Sequence, residues 1–137
     1  MPIFSSKSLS NLMTCHEDLI ILFKEVIKNI DCVVTEGHRD QEKQEAAFNS
    51  GNSKLHYPHG KHNSVPSNAV DVYPYPVDMK NISRFYFLAG YVLGTANKLY
   101  EEEKISHRIR WGGDFNNNYD ITDDKGLIDL PHYELIF

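Results

Sequence analysis

The strongest constraint in the chain is the segment from Ile82 to about Glu103, which carries Phe85, Leu88, Ala89, Val92, Leu93, Ala96 and Leu99 at helical spacing. Apolar residues fall on most of its sides, so the helix has to be covered by other elements. Glu101, Glu102 and Glu103 near its end read as a solvated face. With 137 residues, the chain has room for one domain built around this helix, residues 1–137 together. No apolar run reaches the roughly 18 residues that a membrane span needs, so no membrane anchor is expected.

The flanking patterns supply the other elements. HEDLIILFKEVIKNI places Leu19, Leu22, Phe23, Val26, Ile27 and Ile30 on one stripe, with acidic residues in the first turn where the helix dipole favours them. CVVTEG turns β-rich and stops at glycine, and Asp40 is placed to cap a helix through DQEKQEAAFNSG. NSKLHYPHGKHNSVPSN has no period and predicts a long loop. AVDVYPY, IRWGGD and LPHYELIF predict strands, with the polar stretch DFNNNYDITDDKG between the last two. About three helices and several strands without a βαβ rhythm point to an α+β fold with a small antiparallel sheet.

The bulk chemistry excludes several functions. A formal charge of -5 without a basic stripe argues against a nucleic-acid binder. Cys15 and Cys32 are far apart and belong to no CxxC pair, which predicts two reduced, partly buried thiols. The amino-terminal MPIFSSKSLSNLMT lacks the features of a secretory signal. Work outside the cytoplasm would then need another exit route. No apolar surface stripe is evident, so a monomer is expected.

One residue breaks its local pattern. Asp71 lies between Val70 and Val72 in a run that otherwise reads as a buried strand, and a buried carboxylate is costly unless it is paired or bound to a cation. His62 precedes it across a turn and His132 lies in the last strand. Two imidazoles and one carboxylate make a three-ligand set suited to a catalytic zinc with an open fourth position. The alternative is an Asp71 bonded to backbone amides and a His62 on a surface loop. Asp129, in D-L-P-H just before His132, is placed to act as a proton-transferring base, or else is an ordinary turn aspartate. Arg39, at the corner after CVVTEGH, offers a planar fork for a carboxylate or an oxyanion, or else makes a surface ion pair with Asp40 or Glu42.

Taken in order, TEGHRDQEKQ, KLHYPHGKHNSVPSNAVDVYPY, IRWGGDF and DLPHYEL resemble the zinc peptidases of the D-alanyl-D-alanine carboxypeptidase and dipeptidase family. Within it the chain is most similar to single-domain phage endolysins that act as L-alanyl-D-glutamate peptidases. The resemblance runs from about Cys32 to Phe137 and implies the fold shared by the hedgehog domain and the D,D-peptidases. It implies that one zinc is held by His62, Asp71 and His132, that Asp129 is the catalytic acid and base, and that Arg39 faces the substrate. The substrate implied is the peptide stem of bacterial peptidoglycan, cut during lysis of a phage-infected host. Two departures stand out. Gly60 occupies a position where many relatives carry serine, and the base is aspartate, as in the endolysin branch, where the carboxypeptidases and dipeptidases commonly have glutamate.

Rival readings remain at this level. A D,D-carboxypeptidase or dipeptidase would remove a terminal D-alanine, and a hedgehog-like zinc domain would bind without hydrolysing. A net charge of -5 is also unexpected for a protein working on an anionic wall unless basic residues cluster locally. Asp114, Asn116, Asn118 and Asp120 alternate at the oxygen-ligand spacing of a calcium loop, although Tyr119 replaces the turn glycine and Lys125 the bidentate glutamate. That makes a weak calcium site the alternative to an Asn-rich turn. His56 and His59 read as a solvated pair, and Trp111, Tyr73 and Tyr75 as core or groove aromatics.

Overall fold

A computed structural model describes residues 2–122 and 128–137. The elements run α1 (Ser6–Leu12), α2 (Glu17–Val26), β1 (Cys32–Glu36), α3 (Gln41–Asn49), a 3-10 turn (Lys61–Asn63), β2 (Ala69–Pro74), α4 (Ile82–Glu101), β3 (Arg108–Trp111) and β4 (His132–Ile136). The strands form one antiparallel sheet in the order β1-β2-β4-β3. This is the expected α+β architecture.

Period-two alternation divides the sheet into two faces. Val34, Val70, Val72, Ile109, Trp111, Tyr133 and Leu135 enter the core with Leu19, Leu22, Phe23 and Val26 of α2 and Leu88, Ala89, Val92 and Ala96 of α4. Each fully buried apolar side chain of this size contributes roughly 1.5–3 kcal/mol. α4 is the central helix its pattern predicts. Asp71, His132 and Glu134 alternate with these core residues and so belong to the opposite face, which explains an aspartate between two buried valines.

The helix α1 was not anticipated, because SKSLSNL has no apolar stripe. Its polar residues serve the edge of the sheet. Val34 N donates to Ser8 Oγ at 3.1 Å, and Asn11 Nδ2 donates to Val34 O at 3.0 Å. The exposed edge of β1 is thereby partly covered. Cys15 and Cys32 are free and buried, and burial pushes both thiols up to about 12.

Candidate active site

Strand register brings the polar residues of the second face into one row. Glu36 of β1 opposes Asp71 of β2, and Asp71 opposes His132 of β4. A bulge in β1 between Val34 and Glu36 places Glu36 opposite Asp71. His62 joins the row from the 3-10 turn, whose backbone is tied to the corner after β1 by Arg39 N donating to His62 O at 2.7 Å.

Three ligand atoms then meet. His62 Nε2 is 3.2 Å and His132 Nδ1 is 3.5 Å from Asp71 Oδ1. The other nitrogen of each ring is already committed, His62 Nδ1 to Gly37 O at 2.8 Å and His132 Nε2 to Glu134 Oε1 at 2.8 Å. In the neutral imidazoles the committed nitrogen carries the proton, so both lone pairs point at a carboxylate oxygen that is itself an acceptor. His62 Nε2 and Asp71 Oδ1 are buried without a hydrogen-bond partner. Such an arrangement is unfavourable unless a proton or a cation sits in it, and the donor set fits a zinc ion.

Without a metal, the same groups perturb one another. Burial opposes ionisation of Asp71, but the contacts with His132 and His62 outweigh it and hold the carboxyl well below the usual range. Burial also disfavours a charged His132, yet Asp71 and Glu134 raise its pKa to about 9. At Asp129 burial dominates and, together with the charge of Asp71, raises the pKa. The Asp129 carboxylate is partly exposed and lies 3.9 Å from His132 Nδ1.

Backbone geometry fixes Asp129. Asp129 N donates to Gly112 O at 2.9 Å, and Trp111 Nε1 donates to Leu130 O at 2.7 Å. A Cβ on Gly112 would lie 2.0 Å from Asp129 O, so the glycine in IRWGGD permits this approach. Gly112→Ala is expected to displace the Asp129 segment and lower kcat/KM by about 10²-fold, the penalty of a misplacement near 1 Å. Steady-state kinetics and a zinc titration check this, and an alanine variant with full activity would refute the steric argument.

Arg39 is the most constrained member of the group. Nε donates to Glu36 Oε1 at 2.6 Å, NH1 donates to Gln44 Oε1 at 3.0 Å, and NH2 lies 3.9 Å from Asp71 Oδ2. Its ion-pair partner is therefore Glu36, in place of the Asp40 or Glu42 considered from sequence. Asp40 instead caps α3, accepting from Lys43 N at 2.9 Å. Gln44 and Glu134 were missed as site residues. Gln44 is fully buried, accepts from Arg39 and Asn63, and donates to Ser53 Oγ and Leu55 O, so it fastens the long loop to the site. A Cβ at Gly60 would meet Asn63 Oδ1 at 2.8 Å and Gln44 Oε1 at 2.9 Å, so those two side chains fill the space beside the glycine.

The remaining candidates lie elsewhere. Asp114 is buried and spends its carboxylate on the backbone, accepting from Tyr119 N at 2.9 Å and Asn118 N at 3.4 Å. Asp120 accepts from Thr122 N, and Lys125 lies outside the described residues. Among the described residues, neither cluster of metal-ligating His, Cys, Asp or Glu side chains includes Asp114 or Asp120. One of those clusters is the site; the other is His16, Asp18 and His107. In that second cluster Asp18 Oδ2 already accepts from Ser106 N, Ser106 Oγ and His107 Nδ1, and His16 Nδ1 accepts from Asp18 N. His56 pairs with Glu45 and stacks on Phe48. Trp111 is core, whereas Tyr73 lines the cleft beside Asp71 and Asp129.

In comparisons with known proteins, residues 2–136 match the profile of the phage L-alanyl-D-glutamate peptidases. Among solved structures the chain is similar to the L-Ala D-Glu endopeptidase ChiX of Serratia marcescens. That match has a TM-score of 0.73 and 24% identity over 98% of this chain and 91% of the other, a likeness of fold. A search of curated proteins gave no significant match.

Proposed function

The chain belongs to the phage L-alanyl-D-glutamate peptidase family, and we propose that it is a zinc-dependent endopeptidase. Its substrate is the L-alanyl-D-glutamate bond in the peptide stems of bacterial peptidoglycan, and its setting is endolysin-like host lysis. The observation that carries the metal is the buried, unpartnered pair His62 Nε2 and Asp71 Oδ1, with His132 Nδ1 facing the same point. His62, Asp71 and His132 hold the ion. When bound, zinc supplies Lewis acidity to the scissile carbonyl and to the attacking water.

The protein groups divide the remaining work. Asp129, partly exposed and 3.9 Å from His132 Nδ1, accepts the proton of the attacking water on its carboxylate and returns it to the departing amine. Arg39 is held in one orientation by Glu36 and Gln44 and presents fixed positive charge beside Asp71 for the substrate's developing or permanent negative charge. Lys54 and Lys61 line the same cleft and, with Arg39, offset the carboxylates of Asp129 and Glu134 where an anionic stem would lie.

Mass spectrometry of defined muropeptides, with zinc-loaded and chelated protein in parallel, tests the reading. Release of a peptide beginning with D-glutamate, abolished by chelation, is expected. Loss of only a terminal D-alanine would move the chain to carboxypeptidase chemistry, and intact muropeptides would leave a binding domain.

A further inference from the structure

We propose that Glu134 is a positioning residue for the metal site: it fixes the His132 ring so that Nδ1, rather than Nε2, is offered as the ligand atom. The inference rests on the zinc reading of the site and adds to it a residue outside the ligand set. His132 and Glu134 are alternate residues of β4 and share one face, which lets Glu134 Oε1 reach His132 Nε2 at 2.8 Å. Both side chains are nearly buried, so solvent does not replace this contact. A carboxylate accepts only, hence Nε2 must donate and the Nδ1 lone pair is left facing Asp71.

His62 meets the same requirement differently. Its Nδ1 is held by the backbone carbonyl of Gly37, which no substitution removes. Only His132 depends on a side chain for its orientation. That side chain faces two cations at ion-pair distance: Glu134 Oε2 lies 3.5 Å from Arg110 Nε and 4.0 Å from Lys61 Nζ. Arg110 NH1 donates to Phe115 O at 3.1 Å, and Lys61 Nζ lies 4.9 Å from the centroid of the Phe137 ring. A carboxylate has an oxygen for His132 and another for the two cations, whereas a carboxamide has one. In Glu134→Gln the cations compete for that single oxygen and the amide NH2 turns toward Nε2. His132 then carries its proton on Nδ1, pointing into the metal position.

Two variants, Glu134→Gln and Glu134→Ala, test this in the full chain. Zinc affinity, measured by competition with a chromophoric chelator, is expected to fall about 10–100-fold in each, as outer-shell losses at metal-bound histidines do. In the zinc-loaded wild type, proton NMR should show a protected, downfield His132 Nε2–H, which is lost or moved upfield in both variants. The His62 Nδ1–H bonded to Gly37 should stay in place in all three proteins and serves as the internal reference. Unchanged affinity with an unchanged His132 resonance would overturn the inference while leaving the zinc reading intact. Equal disturbance of His62 and His132 would also overturn it, because Glu134 would then be a general structural support. A wild type that binds no zinc would remove the metal reading, and this inference with it.

Discussion

Replacing Asp129 with asparagine should lower kcat/KM on a defined L-alanyl-D-glutamate substrate by about 10²–10⁴-fold, the usual contribution of a positioned acid and base. Zinc affinity should change little, because Asp129 is not in the ligand set. The substitution is nearly isosteric, and both local backbone bonds, Asp129 N to Gly112 O and His132 N to Asp129 O, survive it. What disappears is a carboxylate 3.9 Å from His132 Nδ1, with its pKa raised by burial and by the charge of Asp71. The acid limb of the wild-type kcat/KM profile, where Asp129 must be ionised to accept a proton, should vanish in the variant. Steady-state kinetics across pH and a zinc titration on the same preparation check both statements. Undiminished turnover would remove Asp129 from the chemistry. A variant that loses zinc along with activity would make the residue a ligand or a support in place of a base.

The anomaly at Asp71 was legible because a strand has a strict period. An aspartate between two valines can only face away from them, so the second face of the sheet had to be polar and occupied. Nothing in the local sequence shows which strand lies beside it. The register that opposes Asp71 to His132 is a long-range pairing, and it brings together two of the three residues of the cradle, which His62 joins from the 3-10 turn. Glu134 carried a usable signal, since it stands two places after His132 on the same face. Gln44 carried none: α3 has no apolar stripe, and the buried hub becomes visible only once the loop through Ser53 and Leu55 folds over it. The polar helix α1 escaped for the same reason, because its contribution is side-chain partners for an edge strand and a single fully buried apolar side chain, Leu12. Arg39 shows how local proximity misleads. Asp40 is its sequence neighbour, yet that carboxylate is used at the start of α3, while the bulge in β1 brings Glu36 to the guanidinium.

Asp71→Ala should reduce zinc affinity by at least about 10²-fold, since it removes one of only three protein ligands from a site whose binding energy is on the order of 10 kcal/mol. The same substitution should also alter the metal-free protein in a pH-dependent way. Asp71 is held well below the usual carboxylate range, so its stabilisation is complete above about pH 4 and is lost as pH falls through the folded pKa. His132 is raised to about 9, so its stabilisation is complete below about pH 6.5 and is lost as pH rises toward 9. The contribution of this pair to the stability of the metal-free wild type should accordingly be greatest between about pH 4 and 6.5, and should fall by on the order of 3 kcal/mol by pH 9. Zinc affinity should rise over that same interval, because proton and metal compete for the Nδ1 lone pair. In Asp71→Ala the alkaline loss should shrink without vanishing, since Glu134 still accepts from His132 Nε2. Near pH 6 the variant should be about 3 kcal/mol less stable than the wild type, the cost of stripping one partner from a buried charged group. Urea denaturation with chelator present, from pH 5 to 9, measures the first effect, and a zinc competition titration measures the second. Zinc affinity retained within a few-fold would mean that the cradle is a proton-holding network and that the metal, if the enzyme uses one, is bound elsewhere.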